Sequence, residues 1–368
     1  MLPKKVLLVS DFAWPVKAGT ERLVYGAASW MAANGIQADI LTPNWNNLPE
    51  VQTQEGVNIY AFNTHPIDKS DAMRRIADYV KAGEKLGKYD VYYGVYTIPP
   101  MTAAIQLAKK LRAKSVINIF GRDQLEKGNF SNPLKKWWIL HTLKQANQLT
   151  CYTWAVKKYF EEGYFKGKQF EVLQGWSEEK FKPLKVGKPK KKIVLFVGRI
   201  DESKGIFVLL RAFARIKDKV NAELVCIGPP YQKERFEQIV KELELQDCVK
   251  LLGFVSDEEL NEWYCKCEFI AVPPLHGDAY GLSLMEALML GKPTICTDWI
   301  GSPDGVEDDA LTVERGNIEQ LAEMMEKLLN DSNYYKHAVE ISKKRAQLFH
   351  KKEVMQKYLD VFERVLER

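Results

Sequence analysis

The first forty residues fix the class of fold. Residues 6–9 form a four-residue apolar run that ends at Ser10-Asp11, and residues 10–19 read as a loop. A helix is expected to begin near Thr20 or Glu21 and to end around Asn34-Gly35, with a second strand at 36–41. A strand, helix and strand in this order predict an α/β protein with a doubly wound parallel sheet, whose ligands bind outside the carboxyl ends of the strands. Further strands are expected at 57–62, 91–93, 116–119, 148–152 and 170–173, with helices between them.

The pattern then starts again. Residues 193–197 read as a strand, followed by a helix to about Ile216, and strands are expected at 224–228, 249–252, 269–272 and 293–296. Between the two runs, residues 182–192 hold six lysines, two prolines and a glycine, the composition of a solvated linker. The expected domains are therefore 1–186 and 187–350, with a boundary near residue 187. A last helix at 351–368 carries Val354, Met355, Tyr358, Leu359, Phe362 and Val365 at helical spacing.

With 368 residues, 46% of them hydrophobic, the chain can build two cores, which excludes a disordered or fibrous class. Cys151, Cys226, Cys248, Cys265, Cys267 and Cys296 lack the paired spacing of a metal site and read as reduced thiols. No apolar run approaches the roughly 18 residues that span a membrane. The apolar run near the N-terminus is too short for a signal peptide. A cytoplasmic protein is expected.

One stretch carries chemistry that packing alone does not explain. In residues 278–293, DAYGLSLMEALMLGKP, Asp278 and Glu286 lie eight positions apart, slightly more than two helical turns, so both carboxylates can face one side. A carboxylate within so apolar a helix is costly unless something polar meets it. In the plain structural reading Glu286 bonds a neighbouring backbone group and Asp278 caps the helix. In the functional reading an anion such as a diphosphate lies across the helix N-terminus, and Glu286 binds hydroxyls beside it. A second motif follows the 193–197 strand: Gly198-Arg199, then Lys204-Gly205. A guanidinium and an ammonium beside a glycine-flanked loop can neutralise a diphosphate and stabilise it as a leaving group. The plain alternative is a surface ion pair of Arg199 or Lys204 with Asp201 or Glu202, worth little.

These two motifs resemble those of the family-4 retaining glycosyltransferases: an E-x7-E element, here with Asp278 first, and V-G-R-x-x-x-x-K-G. The resemblance implies the GT-B fold, two Rossmann-like domains facing a central cleft. It implies that Asp278 orients the donor sugar, Glu286 holds the ribose, and Arg199 and Lys204 hold the phosphates. Tyr280, Gly281 and Leu282 would line the donor, and Phe254 would lie by the nucleotide base. Residues 15–21, PVKAGTE, look like the family's P-x-x-G-G-x-E, with Ala18 at the first glycine. Gly19, with Thr20 beside it, would let the diphosphate approach the backbone. Phe120 stands where many members have a histidine. The histidine's role, positioning the donor sugar or acceptor, would either pass to Arg122 or Asp123, on the acceptor side, or be absent.

Residues 129–170 are basic and aromatic, including Lys135, Lys136, Trp137, Trp138, Trp154, Lys157 and Lys158. The first reading is two amphipathic helices whose tryptophans face the core. The second is peripheral contact with an anionic membrane, on its cytoplasmic face. An acidic polysaccharide would suit the same surface; nucleic acid is not expected.

Taken with the resemblance, the expected activity is retaining, metal-independent transfer of a hexose from a UDP- or GDP-linked sugar. The acceptor would be a hydroxyl of a glycan, lipid-linked or small-molecule partner, in polysaccharide or glycolipid biosynthesis. No cofactor and no metal are expected. The alternatives are a sugar-nucleotide-binding protein that has lost catalysis and, behind it, a sugar-nucleotide epimerase of the same fold.

Overall fold

The structure, a computed structural model, describes residues 1–12, 19–45, 48–63, 72–95, 97–121, 125–126, 129–176, 181–187, 189–276, 281–298 and 311–368. It divides into two units. Unit 1 is Met1–Gln174 with Lys352–Arg368, and unit 2 is Gly175–Lys351.

Unit 1 is built on an eight-stranded sheet. Its strands are β1 (Lys5–Val9), β2 (Gln37–Pro43), β3 (Val51–Gln54), β4 (Val57–Phe62), β5 (Val91–Val95), β6 (Lys114–Ile119), β7 (Gln148–Cys151) and β8 (Phe170–Val172), in the spatial order β3-β4-β2-β1-β5-β6-β7-β8. All pairs are parallel except β3 with β4. The antiparallel edge strand β3 is an addition to the sequence expectation. Its turn, Glu55-Gly56, has φ of 49° and 77°, the positive values a tight hairpin needs. The described helices are α1 (Gly19–Ala33), α2 (Ala72–Lys85), α3 (Ile98–Lys110), α4 (Pro133–Leu143) and α5 (Trp154–Glu162), joined by all but the first residue of α12 (Lys351–Glu367). The buried stripe of α12 supplies Tyr358 and Phe362, whose rings lie 5.8 and 5.7 Å from that of Tyr93 on β5. The helix is thus a structural member of this unit.

Two tryptophans of the basic segment, Trp137 and Trp154, do not face the core, while Trp138 is half-buried. Ile139, Thr142 and Leu143 form the buried side of α4, and Val156 and Phe160 that of α5. Trp137 and Trp154 fall outside those stripes and are 63% and 53% exposed, next to Leu134 at 79%.

Unit 2 carries a six-stranded, all-parallel sheet. Its strands are β9 (Lys192–Val197), β10 (Ala222–Ile227), β11 (Val249–Gly253), β12 (Phe269–Val272), β13 (Thr294–Thr297) and β14 (Thr312–Val313), in the order β11-β10-β9-β12-β13-β14. The described helices are α6 (Ile206–Ala214), α7 (Lys233–Glu242), α8 (Asp257–Lys266), α9 (Leu282–Met289), α10 (Ile318–Asn330) and α11 (Ser332–Ala346). The division falls before the lysine-rich stretch expected to separate the domains. Phe181 explains this: it is buried with Ile193, Leu195 and Tyr264 in the core of unit 2, its ring 5.5 Å from that of Tyr264. The backbone N–H of Lys182 bonds Oδ1 of Asn261 at 3.2 Å, so the segment after Phe181 runs along unit 2.

Candidate active site

The sheet of unit 2 grows outward from β9 through β10 and β11, then returns to lay β12 on the other side of β9. The crevice of an open α/β sheet lies at such a switch point, at the carboxyl ends of the strands. Here the two segments leaving β9 and β12 meet. The N–H of Leu275 bonds the carbonyl of Ser203 at 2.9 Å, and Gly205 packs against Pro273. A Cβ on Gly205 would lie 1.8 Å from the Pro273 oxygen, and its φ is +73°. Only glycine meets both demands. A Cβ on Gly228, after β10, would lie 2.0 Å from the Gly198 oxygen, and the Gly228 N–H bonds the Gly253 carbonyl at 2.8 Å. Glycine thus draws the ends of β9, β10 and β11 together.

This packing fixes the loop that carries Arg199 and Lys204. Asp201 organises its interior: its carboxylate accepts from the Ser203 hydroxyl and from the Lys204 N–H at 3.3 Å, and lies 3.2 Å from Nε of Arg199. Nη2 of Arg199 donates to Ser203 Oγ at 3.2 Å, and the guanidinium carbon is 5.9 Å from the centre of the exposed Tyr231 ring. The ion pair of the plain reading is therefore present. It also holds the Arg199 head, with its side chain 49% exposed, at the carboxyl edge of the sheet. Glu202 pairs with Arg235 at 3.0 Å instead, and that hydrogen bond lowers the Glu202 pKa.

Glu286 sits in the middle of α9 and is 5% exposed. One polar neighbour is a side chain of α8: the hydroxyl of the fully buried Tyr264 donates to Oε2 at 2.6 Å. Lys292, in the turn after α9, donates to the carbonyls of Cys265 and Cys267 at 2.9 and 2.7 Å and so ties the ends of the two helices. Gly281 precedes α9 with φ of 76°, and Leu282 opens the helix. Phe254, past the edge strand β11, is 78% exposed.

Asp278 and Tyr280 lie outside the described residues, as do Arg122 and Asp123. Gly19 and Thr20 open α1, and their side chains lie outside the description. Phe120 is buried, its ring 4.1 Å from that of Tyr152, a packing role. The sequence offers Asp201 only as a surface ion-pair partner and does not single out Tyr264. Asp201 lies inside a recognisable motif, whereas Tyr264 had no local signal. Among the described residues no helix is long and apolar enough to cross a membrane.

Residues 18–174 match the family model described as Glycosyltransferase Family 4, and residues 177–345 match Glycosyl transferases group 1. The chain belongs to the family-4 glycosyltransferases. This glycosyltransferase is 33% identical over 165 residues, 44% of each chain, to the N-acetylgalactosamine-N,N'-diacetylbacillosaminyl-diphospho-undecaprenol 4-alpha-N-acetylgalactosaminyltransferase of Campylobacter jejuni. In fold it is similar to sucrose-phosphate synthase from Thermosynechococcus elongatus, with a TM-score of 0.84, 20% identity and 99% of both chains covered. It is also similar to Anabaena Alr3699/HepE, solved in complex with UDP-glucose, with a TM-score of 0.76, 17% identity, and 98% and 99% of the two chains covered. The glycosyltransferase therefore has the GT-B fold.

Proposed function

We propose that this glycosyltransferase moves a hexose from a nucleoside diphosphate sugar to a hydroxyl of a glycan, lipid-linked or small-molecule acceptor, with retention at the anomeric carbon. The observation that carries the reading is the Arg199–Lys204 loop, fastened by Gly205 and Ser203 to the segment leaving β12. Fixed cations at a switch point suit a diphosphate, and they act most where charge develops as the glycosidic bond breaks. Arg199 and Lys204 hold the phosphates, Glu286 the ribose and Asp278 the donor sugar. Gly19 and Thr20 offer backbone donors, and Phe254, Tyr280, Gly281 and Leu282 line the nucleotide. Arg122 and Asp123 serve the acceptor.

The complex of Anabaena HepE with UDP-glucose favours UDP over GDP. The alpha linkage named for the Campylobacter relative favours retention, because an alpha-linked donor gives an alpha product only with retention. The cations take the charge that a metal would otherwise take, so no metal or other cofactor is required. Polysaccharide or glycolipid biosynthesis is the setting that suits such an enzyme.

The test is a thermal-shift panel of UDP-glucose, UDP-N-acetylglucosamine, UDP-galactose, GDP-mannose, UDP and GDP, without added metal and with a chelator arm. It is run on the wild type and Arg199→Ala. A ligand that binds only the folded state raises the melting temperature. We expect one nucleotide series to do so in the wild type and much less in the variant. No shift with any of the six would sink the sugar-nucleotide reading.

The exposed Leu134, Trp137 and Trp154 favour a second partner, an anionic membrane surface, over a role for these tryptophans in the core. Lysines around them, including Lys135, Lys136, Lys157 and Lys158, suit the headgroups. Peripheral attachment on the cytoplasmic face is the location this implies.

A further inference from the structure

Unit 1 has a switch point of its own. The chain lays β2 and β4 on one side of β1 and β5 on the other, so the carboxyl ends of β1 and β5 flank its crevice. Asp11 follows β1 and Thr97 follows β5, and the Thr97 hydroxyl donates to the Asp11 carboxylate. Asp11 is 3% exposed. Its carboxylate also accepts from Arg75 on α2 and, at 2.9 Å, from the buried Tyr79 hydroxyl. The Asp11 carbonyl takes the indole N–H of Trp45 at 2.8 Å, and the Arg75 guanidinium carbon stands 5.5 Å from the Trp45 ring centre.

A structural staple has its buried donors met. In this cluster Nε of Arg75 is buried and has no hydrogen-bond partner among the described residues. The Arg75 side chain is not wholly enclosed: it keeps 12% exposure. A planar donor is held from one side by Asp11 and Trp45 with hydrogen-bonding capacity left over. The carboxylate and the guanidinium cancel in charge, which favours an uncharged oxygen ligand over an anion.

We infer that Arg75, fixed by Asp11 and Trp45, binds a hydroxyl of a neutral sugar on the acceptor. The inference rests on the proposed transferase reading, which it deepens by giving the acceptor a chemical class and a subsite. Asp11 is a positioning residue, since it acts through Arg75.

The test compares wild type, Arg75→Lys, Arg75→Gln and Asp11→Asn. The donor is the sugar nucleotide that stabilises the wild type. The acceptor probes are p-nitrophenyl glycosides of glucose, galactose, mannose and N-acetylglucosamine, with p-nitrophenyl glucuronide as the anionic control. Binding is followed by saturation-transfer NMR, transfer by product formation and folding by melting temperature. We expect neutral glycosides to bind or accept, and the glucuronide not to. Arg75→Gln should raise the acceptor KM at least tenfold with donor KM within twofold, and Arg75→Lys should fall between. Asp11→Asn, which leaves the cation uncompensated, should move preference toward the glucuronide.

Acceptor KM unchanged in folded Arg75→Gln would overturn the inference, as would donor and acceptor KM rising together, or no neutral glycoside binding or accepting. Loss of the donor shift in wild type, with Arg75-dependent glycoside binding intact, would remove the transferase reading and leave the subsite standing.

Discussion

The hydroxyl of Tyr264 donates a 2.6 Å hydrogen bond to Oε2 of Glu286, joining two helices of unit 2 at a buried carboxylate. Tyr264→Phe keeps the ring against Phe181 and removes the donor. A buried acceptor that loses a partner costs about 1–3 kcal/mol. The variant should melt several degrees lower and should bind UDP about tenfold more weakly by calorimetry, because Glu286 loses the hydrogen bond that ties it to α8. Wild-type affinity in a folded variant would separate Glu286 orientation from donor binding.

Gly205 makes a sharper prediction. With φ of +73° and a Cβ position 1.8 Å from the Pro273 oxygen, Gly205→Ala must move the loop or the segment after β12. We expect a loss of more than about 2 kcal/mol, the range of a buried backbone clash, read from urea unfolding. A variant as stable as wild type would show that the two segments can part freely, and the fixed-cation argument would fall with it.

The buried thiols predict how stability varies at high pH. Loss of hydration pushes the Cys267 and Cys296 pKa values up from 9.0 to about 12, and burial raises that of Cys226 as well. In the unfolded chain these thiols ionise from about pH 8.5, while in the folded protein they stay neutral. Their stabilising contribution is complete below the unfolded value and is lost as pH rises toward the folded one. Each thiol should cost about 1.4 kcal/mol per pH unit in that window. The double variant Cys267→Ala, Cys296→Ala should therefore lose melting temperature less steeply than wild type between pH 9 and 11. Parallel curves would contradict this.

The aromatic surface of unit 1 is testable with vesicles. At low salt the protein should sediment with phosphatidylcholine vesicles that contain phosphatidylglycerol, and should stay in solution with phosphatidylcholine alone. Binding should fall as salt screens the lysines. Replacing Leu134, Trp137 and Trp154 with alanine should abolish it without lowering the melting temperature, since all three are exposed. Equal binding by wild type and triple variant would leave the tryptophans without a membrane role.

What could be read from the sequence divides along chain distance. β4 and β12 fall at 57–62 and 269–272, as expected: β12 is a buried parallel strand written in consecutive apolar residues, and β4 shows the alternate burial of a half-buried strand. The loop from Gly198 to Gly205 was legible for the same reason: its cations and glycines share one turn of chain. The edge strand β3 was overlooked, although its Glu-Gly turn is a local signal. Contacts made by topology had none. Tyr264 and Glu286 are 22 positions apart, and Asp11 meets Arg75 and Thr97 across 64 and 86. Such pairs follow only once strand order is known. The exposure of Trp137 and Trp154 was likewise undecided, since aromatic residues on an amphipathic helix suit either face.

The return of α12 to unit 1 sets an order of events during synthesis. Every residue of unit 2 leaves the ribosome before Tyr358 and Phe362 do, and domains generally fold as units in the order they emerge. Unit 2 can therefore close while the face of β5 around Tyr93 is still bare. The earlier-made half of the polypeptide is the one completed last, and until then a nascent chain exposes the aromatic surface that chaperones recognise.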